Sequence, residues 1–129
     1  MKLAYVILYV PDVAKTVAFY EKAFGLSRRF IHETGQYAEM ETGATALAFA
    51  SEEMASTTRP GFRRNRIESE PAGAELAFVT ENVGKSFTYA VSAGAESVLE
   101  PTQKPWGQVV SYVRDLDGFL VEICSEVSQ

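Results

Sequence analysis

Two stretches of this chain repeat one phrase: "PDVAKTVAFYEKAFGL", residues 11–26, and "TENVGKSFTYAVSAGA", residues 80–95. Shifted by about 70 positions, Val13 falls on Val83, Lys15 on Lys85, Thr16 on Ser86 and Phe19 on Tyr89. With one residue of slippage, Gly25 falls on Gly94. Self-similarity at that spacing constrains the fold more than any single motif, because both copies must reach the same local structure. In each copy a short capping side chain, Asp12 or Asn82, precedes apolar residues at helical spacing, and a glycine ends the pattern. A β-branched and aromatic run stands before each helix, "LAYVILYV" at 3–10 and "AELAFVT" at 74–80. Three strand-like runs follow each helix: "LSRRFIHE", "QYAEMET" and "TALAFAS" in the first copy, "ESVLE", "QVVSYVR" and "FLVEICS" in the second. The expected fold class is α+β, with one βαβββ module over residues 1–50 and another over 73–129.

Between the modules lies a joint, residues 51–72, carrying Pro60, Pro71, one glycine and many Ser, Thr, Glu and Arg residues. It is long for a structureless connection and reads as either a linker or a functional lid. Its arginines, Arg59, Arg63, Arg64 and Arg66, stand out in a chain of net charge −5. They would greet an anionic ligand if the joint folded over a site; such clusters are more often solvated or paired with surface acids.

The remaining bulk properties mostly exclude. A net negative chain lacks the basic footprint of a nucleic-acid binder. Its apolar runs fall short of the roughly 20 residues that cross a bilayer, and the N-terminal "MKLAYVILYVPDV" lacks a signal-peptide cleavage site, so it reads as a strand. A single cysteine, Cys124, forbids an intramolecular disulfide and suits a reducing cytoplasm. P-loop, G-x-G-x-x-G and nucleophile-elbow patterns are absent, and the sole histidine, His32, has no visible relation to Cys124.

The candidate chemistry sits in "DLDGFLVEICS", residues 115–125. Asp117-Gly118 signals a tight turn, and in the strand after it Leu120, Glu122 and Cys124 share one face. Glu75 stands likewise on one face with Ala77 and Val79. A carboxylate among apolar neighbours needs a cation, a hydrogen-bond donor or a proton. Two such carboxylates facing one another would share a proton, leaving a general base.

Paired βαβββ modules, with "VPDVAKTVAFYEKAFGL" near the start and "RDLDGFLVEI" near the end, resemble the vicinal oxygen chelate superfamily. That group includes glyoxalase I, bleomycin-resistance proteins, fosfomycin-resistance proteins and extradiol dioxygenases. The resemblance spans nearly the whole chain except the joint. It implies that the modules curl into a cup with helices outside, that the cup holds a small molecule, and that the chain forms a homodimer. It also implies metal positions on the first and last strand of each module. The terminal Glu of the family's "VEI" strand matches Glu122, and the first strand of the second module supplies Glu75. The corresponding positions of the first module fall on Tyr5 and, counted from Gly43 and Gly118, on Leu47, whose neighbour is Ala48. Two of four ligand positions are thus lost. The cofactor expectation is none, or a divalent metal bound through an incomplete set.

Tyr5, Leu47, Phe49 and Trp106 are expected to line the ligand site, with Gln108 offering an amide beside Trp106 in "KPWGQ". Phe49 and Phe78 also suit a core. His32 is a proton shuttle or a stray ligand only if the fold brings it to the site. Two functions remain open. One is a glyoxalase-like lyase or isomerase, in which Glu122 and Glu75, with or without a metal, promote proton transfer beside a carbonyl. The other is a metal-free binding protein that sequesters a flat or amphipathic molecule. The donor set excludes a standard four-ligand lactoylglutathione lyase site.

Overall fold

The computed structural model describes residues 1–58 and 61–127. Arg59 and Pro60 of the joint lie outside the described residues. Two compact units emerge, residues 1–65 and 66–129.

In the first unit β1 (Tyr5–Val10) leads into α1 (Val13–Phe24), followed by β2 (Ser27–Ile31), β3 (Tyr37–Glu41), β4 (Ala46–Ser51) and a short helix, α2 (Glu52–Thr58). Asp12 accepts a hydrogen bond from the Lys15 N–H and so caps α1, as its position before "VAKT" suggests. At the far end Gly25 adopts φ 69°, the left-handed conformation that closes a helix without a Cβ clash. The four strands order as β1-β4-β3-β2, with β1 and β4 parallel and the rest antiparallel.

The second unit repeats the plan with β5 (Glu75–Val79), α3 (Val83–Ser92), β6 (Glu96–Gln103), β7 (Val109–Arg114) and β8 (Leu120–Cys124). Asn82 caps α3 through the Lys85 N–H. The strand order β5-β8-β7-β6, again with one parallel pair, matches the first sheet position for position. Two βαβββ modules are therefore present.

Each sheet packs one face on its helix. In the first unit Val17, Tyr20 and Ala23 of α1 are buried, and the Phe49 ring centroid lies 4.9 Å from that of Tyr20. Leu8, Val10, Ala38, Met40 and Leu47 complete this core by alternation along their strands. In the second unit Val83, Phe87 and Ala90 of α3 cover Val113, Val121 and Ile123. The opposite face of each sheet carries Tyr5 in the first unit and Glu75 and Glu122 in the second.

The joint departs from a structureless connection. Its first part is α2, and the boundary between the units falls inside it, between Asn65 and Arg66. Helix α2 was not legible because "EEMASTT" is short and lacks an apolar period; the buried Ala55 and the contact of α2 with β4 hold it in place.

Candidate functional site

Sheet B, the sheet of the second unit, presents Glu75, Ala77 and Val79 of its edge strand β5 beside Leu120, Glu122 and Cys124 of β8, since these residues pair in register. On the other side of β8, Tyr112 of β7 stands opposite Glu122 and Val110 opposite Cys124. The central strand thus holds Glu122 between an edge carboxylate and a phenol. The Tyr112 hydroxyl donates to Glu122 Oε1 at 3.0 Å. The carboxyls of Glu75 and Glu122 lie within hydrogen-bonding reach of each other. Desolvation of its carboxyl, and then the hydrogen bond and charge of Glu122, hold Glu75 above the ordinary Glu range. Glu75 therefore gives up its proton less readily than a free Glu, and Glu122 accepts from Tyr112.

The same carboxylates act on their neighbours. Burial, followed by the hydrogen bond to Glu122 and the charges of Glu122 and Glu75, pushes the Tyr112 phenol up to about 12. Tyr112 consequently remains a donor at neutral pH. The Cys124 thiol is pushed up to about 11 by burial and by Glu122, so it is not a thiolate nucleophile.

Trp106 occupies a tight turn closed by the Gly107 N–H to the Lys104 carbonyl, with Gly107 at φ 93°. Its indole Nε1 donates to Gln108 Oε1 at 2.9 Å, and Gln108 Nε2 donates to the Ser125 carbonyl at 2.9 Å. The Gln108 amide is thus engaged at both ends. It ties Trp106 to the Ser125 carbonyl. The indole itself is 57% exposed and remains available for stacking.

The turn before β8 explains the rest of "DLDG". The Asp115 carboxylate accepts the N–H groups of Asp117 at 2.9 Å and Phe119 at 2.8 Å. Asp115 is buried, and the turn it ties fixes the register that sets Glu122 against Tyr112.

Sheet A, the sheet of the first unit, shows Tyr5, Ile7 and Tyr9 on its helix-free face, paired with Ala46, Ala48 and Ala50. The position equivalent to Glu122 is Ala48: Ile7 pairs with Ala48 as Ala77 pairs with Glu122. Counting from Gly43 lands one residue early, because the first module has one residue more between turn and strand. Leu47 and Phe49 accordingly point into the α1 core, where both are buried, and do not share a face with Tyr5. A polar group that sequence reasoning missed stands on this face. The Tyr37 hydroxyl donates to Glu39 Oε2 at 2.9 Å, and Arg29 pairs with Glu39 at 3.5 Å and with Glu41 at 2.7 Å. His32 lies outside both arrangements, in the β2–β3 turn, where its Nδ1 accepts the Thr34 N–H at 3.2 Å.

The joint arginines divide. Arg64 pairs with Glu52 at 3.5 Å and stacks on Phe62, with its guanidinium carbon 5.1 Å from the ring centroid. The Arg66 carbonyl accepts from Arg114. Arg59 lies outside the described residues.

As for a metal, the four positions that the family resemblance marks hold Tyr5, Ala48, Glu75 and Glu122. An alanine has no donor atom, and a neutral phenol is a poor ligand for most divalent ions. Among the described residues no group of three or more His, Cys, Asp or Glu side chains is placed to hold an ion. The residues present do not fit the family's metal set.

The chain is 31% identical over 126 residues to the uncharacterised protein YraH of Bacillus subtilis strain 168, covering 95% of this chain and 97% of that protein. It is 26% identical to virulence protein STM3117 of Salmonella typhimurium, whose crystal structure superposes with a TM-score of 0.70 over 98% of both chains. The fold is also that of a glyoxalase-related enzyme from Fulvimarina pelagi, with a TM-score of 0.83 at 21% identity, covering 98% of this chain and 88% of the other. The profile of the Glyoxalase/Bleomycin resistance protein/Dioxygenase superfamily matches residues 2–123. Family match, paired modules and the "DLDGFLVEI" strand agree: this chain belongs to the glyoxalase/bleomycin resistance protein/dioxygenase superfamily.

Proposed function

We propose that the chain is a metal-independent small-molecule-binding protein whose ligand is anchored on the helix-free face of sheet B. The observation that carries this reading is the Glu75–Glu122 pair with Tyr112. The neighbouring carboxyls, with the Tyr112 phenol already donating to Glu122, would offer acceptor oxygens to a polar ligand group. Ala77, Val79 and the exposed Trp106 would supply apolar contact, which suits a flat or amphipathic molecule with at least one hydrogen-bond donor. Substitution of two family metal positions by Tyr5 and Ala48 supports metal independence.

The test is a titration series with small aromatic amines, amides and phenols followed by Trp106 fluorescence. A saturable change, weakened at least about tenfold in Glu122→Gln, is expected for a ligand gripped by this pair. Binding that is unaffected by Glu122→Gln would move the site elsewhere.

A lyase or isomerase is the second reading, favoured by the raised pKa of Glu75. A carboxyl held above its usual range is better matched to proton transfer near neutral pH. In that case Glu75, as carboxylate, would take a proton from carbon beside a substrate carbonyl and return it, with the Tyr112 hydroxyl turning from Glu122 to donate to the oxygen. Solvent deuterium incorporation into bound ligand separates this reading from plain sequestration.

We further propose a homodimer. Tyr5, Ile7 and Val79 stand exposed on the helix-free faces, Val79 to 58%, an apolar complement that a second copy would cover. Light scattering after size exclusion decides this, with a mass near 14.2 kDa counting against it.

A further inference from the structure

The joint is tied down over residues 62–69. Its part from Phe62 to Asn65 is seated on the first unit: the Phe62 ring packs edge-on against Tyr9 at 4.9 Å, and Asn65 Nδ2 donates to the Tyr9 carbonyl at 3.2 Å. That carbonyl belongs to the edge strand β1, so Asn65 satisfies a group on an edge strand. The part from Arg66 to Ser69 is seated on the second unit. Arg114, at the end of β7, donates from Nη2 to the carbonyls of Arg66 at 3.2 Å and Ser69 at 2.6 Å. It donates from Nη1 to Ile67 at 3.1 Å and from Nε to Gly118 at 2.8 Å. A planar guanidinium fork can reach four carbonyls at once, which a lysine ammonium on its flexible stem cannot reproduce.

Gly118 completes this seat. At φ 91°, a Cβ there would lie 2.6 Å from the Arg66 carbonyl oxygen and 2.5 Å from Arg114 Nη2. The glycine is needed both for its backbone conformation and for the close approach of the joint. The hand-over between the two seats falls on one peptide link, Asn65–Arg66.

We propose that residues 66–69 form a latched turn, with Arg114 as the positioning residue that grips it through the Arg66, Ile67 and Ser69 carbonyls. The motion open to this turn is release, not closure. Release bares the three carbonyls and opens the Arg66–Ile67 peptide to cleavage. The inference stands apart from the ligand proposed for sheet B, since none of the latch bonds involves Glu75, Glu122 or Tyr112.

The turn carries its own reporter, because Arg66 precedes Ile67 and is a trypsin site. In the intact protein, cleavage after Arg66 is expected to be slow. In Arg114→Gln it is expected to accelerate about tenfold, the consequence of losing several hydrogen bonds that hold a local unit closed. Arg114→Lys should fall between, and Gly118→Ala should resemble Arg114→Gln. Hydrogen exchange separates local from global effects: peptides covering 66–69 should exchange faster in Arg114→Gln while those from α3 and β8 remain unchanged. An unchanged cleavage rate in Arg114→Gln overturns the latch, and so does an acceleration shared equally by α3 and β8. If the variants do not fold, the wild type still decides: amides of Ile67–Ser69 exchanging as fast as free chain would refute the latched turn.

Discussion

Replacing Glu75 by Gln tests the shared proton without deleting the side chain's bulk. In the wild type the folded-state pKa of Glu75 lies above its ordinary value of 4.5, so the native chain holds this proton more tightly than the unfolded chain. The associated stability is present below the unfolded value and is lost as pH rises through the folded one. Above that window both carboxylates are charged and repel. Glu75 belongs to an exposed edge strand, so the water-like limit applies: two unit charges about 4 Å apart cost about 1 kcal/mol. Glu75→Gln removes the repulsion and can still donate to Glu122. The variant should therefore match the wild type near pH 4 and exceed it by about 1 kcal/mol at pH 8. Urea unfolding at several pH values, with m-values compared to confirm two-state behaviour, reads this directly. A difference between variant and wild type that is the same at pH 4 and pH 8 would show that the two carboxyls do not share a proton.

Other outcomes follow from the packing. Phe49→Ala, fully buried against Tyr20, should cost about 3–5 kcal/mol, and Leu47→Ala about 2–5 kcal/mol; neither should alter ligand affinity in thermal and binding assays if both are core residues. Asn82→Ala removes the α3 cap and should cost about 1 kcal/mol in urea unfolding. Gln108→Leu should leave the fold intact but free the Trp106 ring, lowering its fluorescence anisotropy, because the amide ties the indole to Ser125.

Much of this architecture is legible in the sequence because the two modules check each other. The cap and stop of α1, Asp12 and Gly25, recur as Asn82 and Gly94, and the strands around them alternate as half-buried strands must. What failed was register. Counting from a glycine turn assumes equal turn lengths, and one extra residue in the first module moved the reading from Ala48 to Leu47, turning a core residue into an apparent ligand contact. A single slip reverses every side chain of a strand. Tyr112 was missed for the opposite reason: its signal was present but unused. Asp117-Gly118 centres a hairpin, and Tyr112 and Glu122 lie at equal steps on either side of Asp117. The Gln108 bond to Ser125 and the Arg114 latch depend on contacts between residues far apart in the chain, which no local pattern encodes.

The central claim is that the Glu75–Glu122 pair works as carboxyls, not as metal ligands. The direct measurement is elemental mass spectrometry of protein purified without chelator and without a nickel column, for the wild type and Glu122→Gln side by side. Metal far below one equivalent per chain, equal in both proteins and with no thermal stabilisation by added nickel, manganese, iron or zinc, is the expected result. Close to one equivalent per chain or per dimer, lost in Glu122→Gln, would contradict the account.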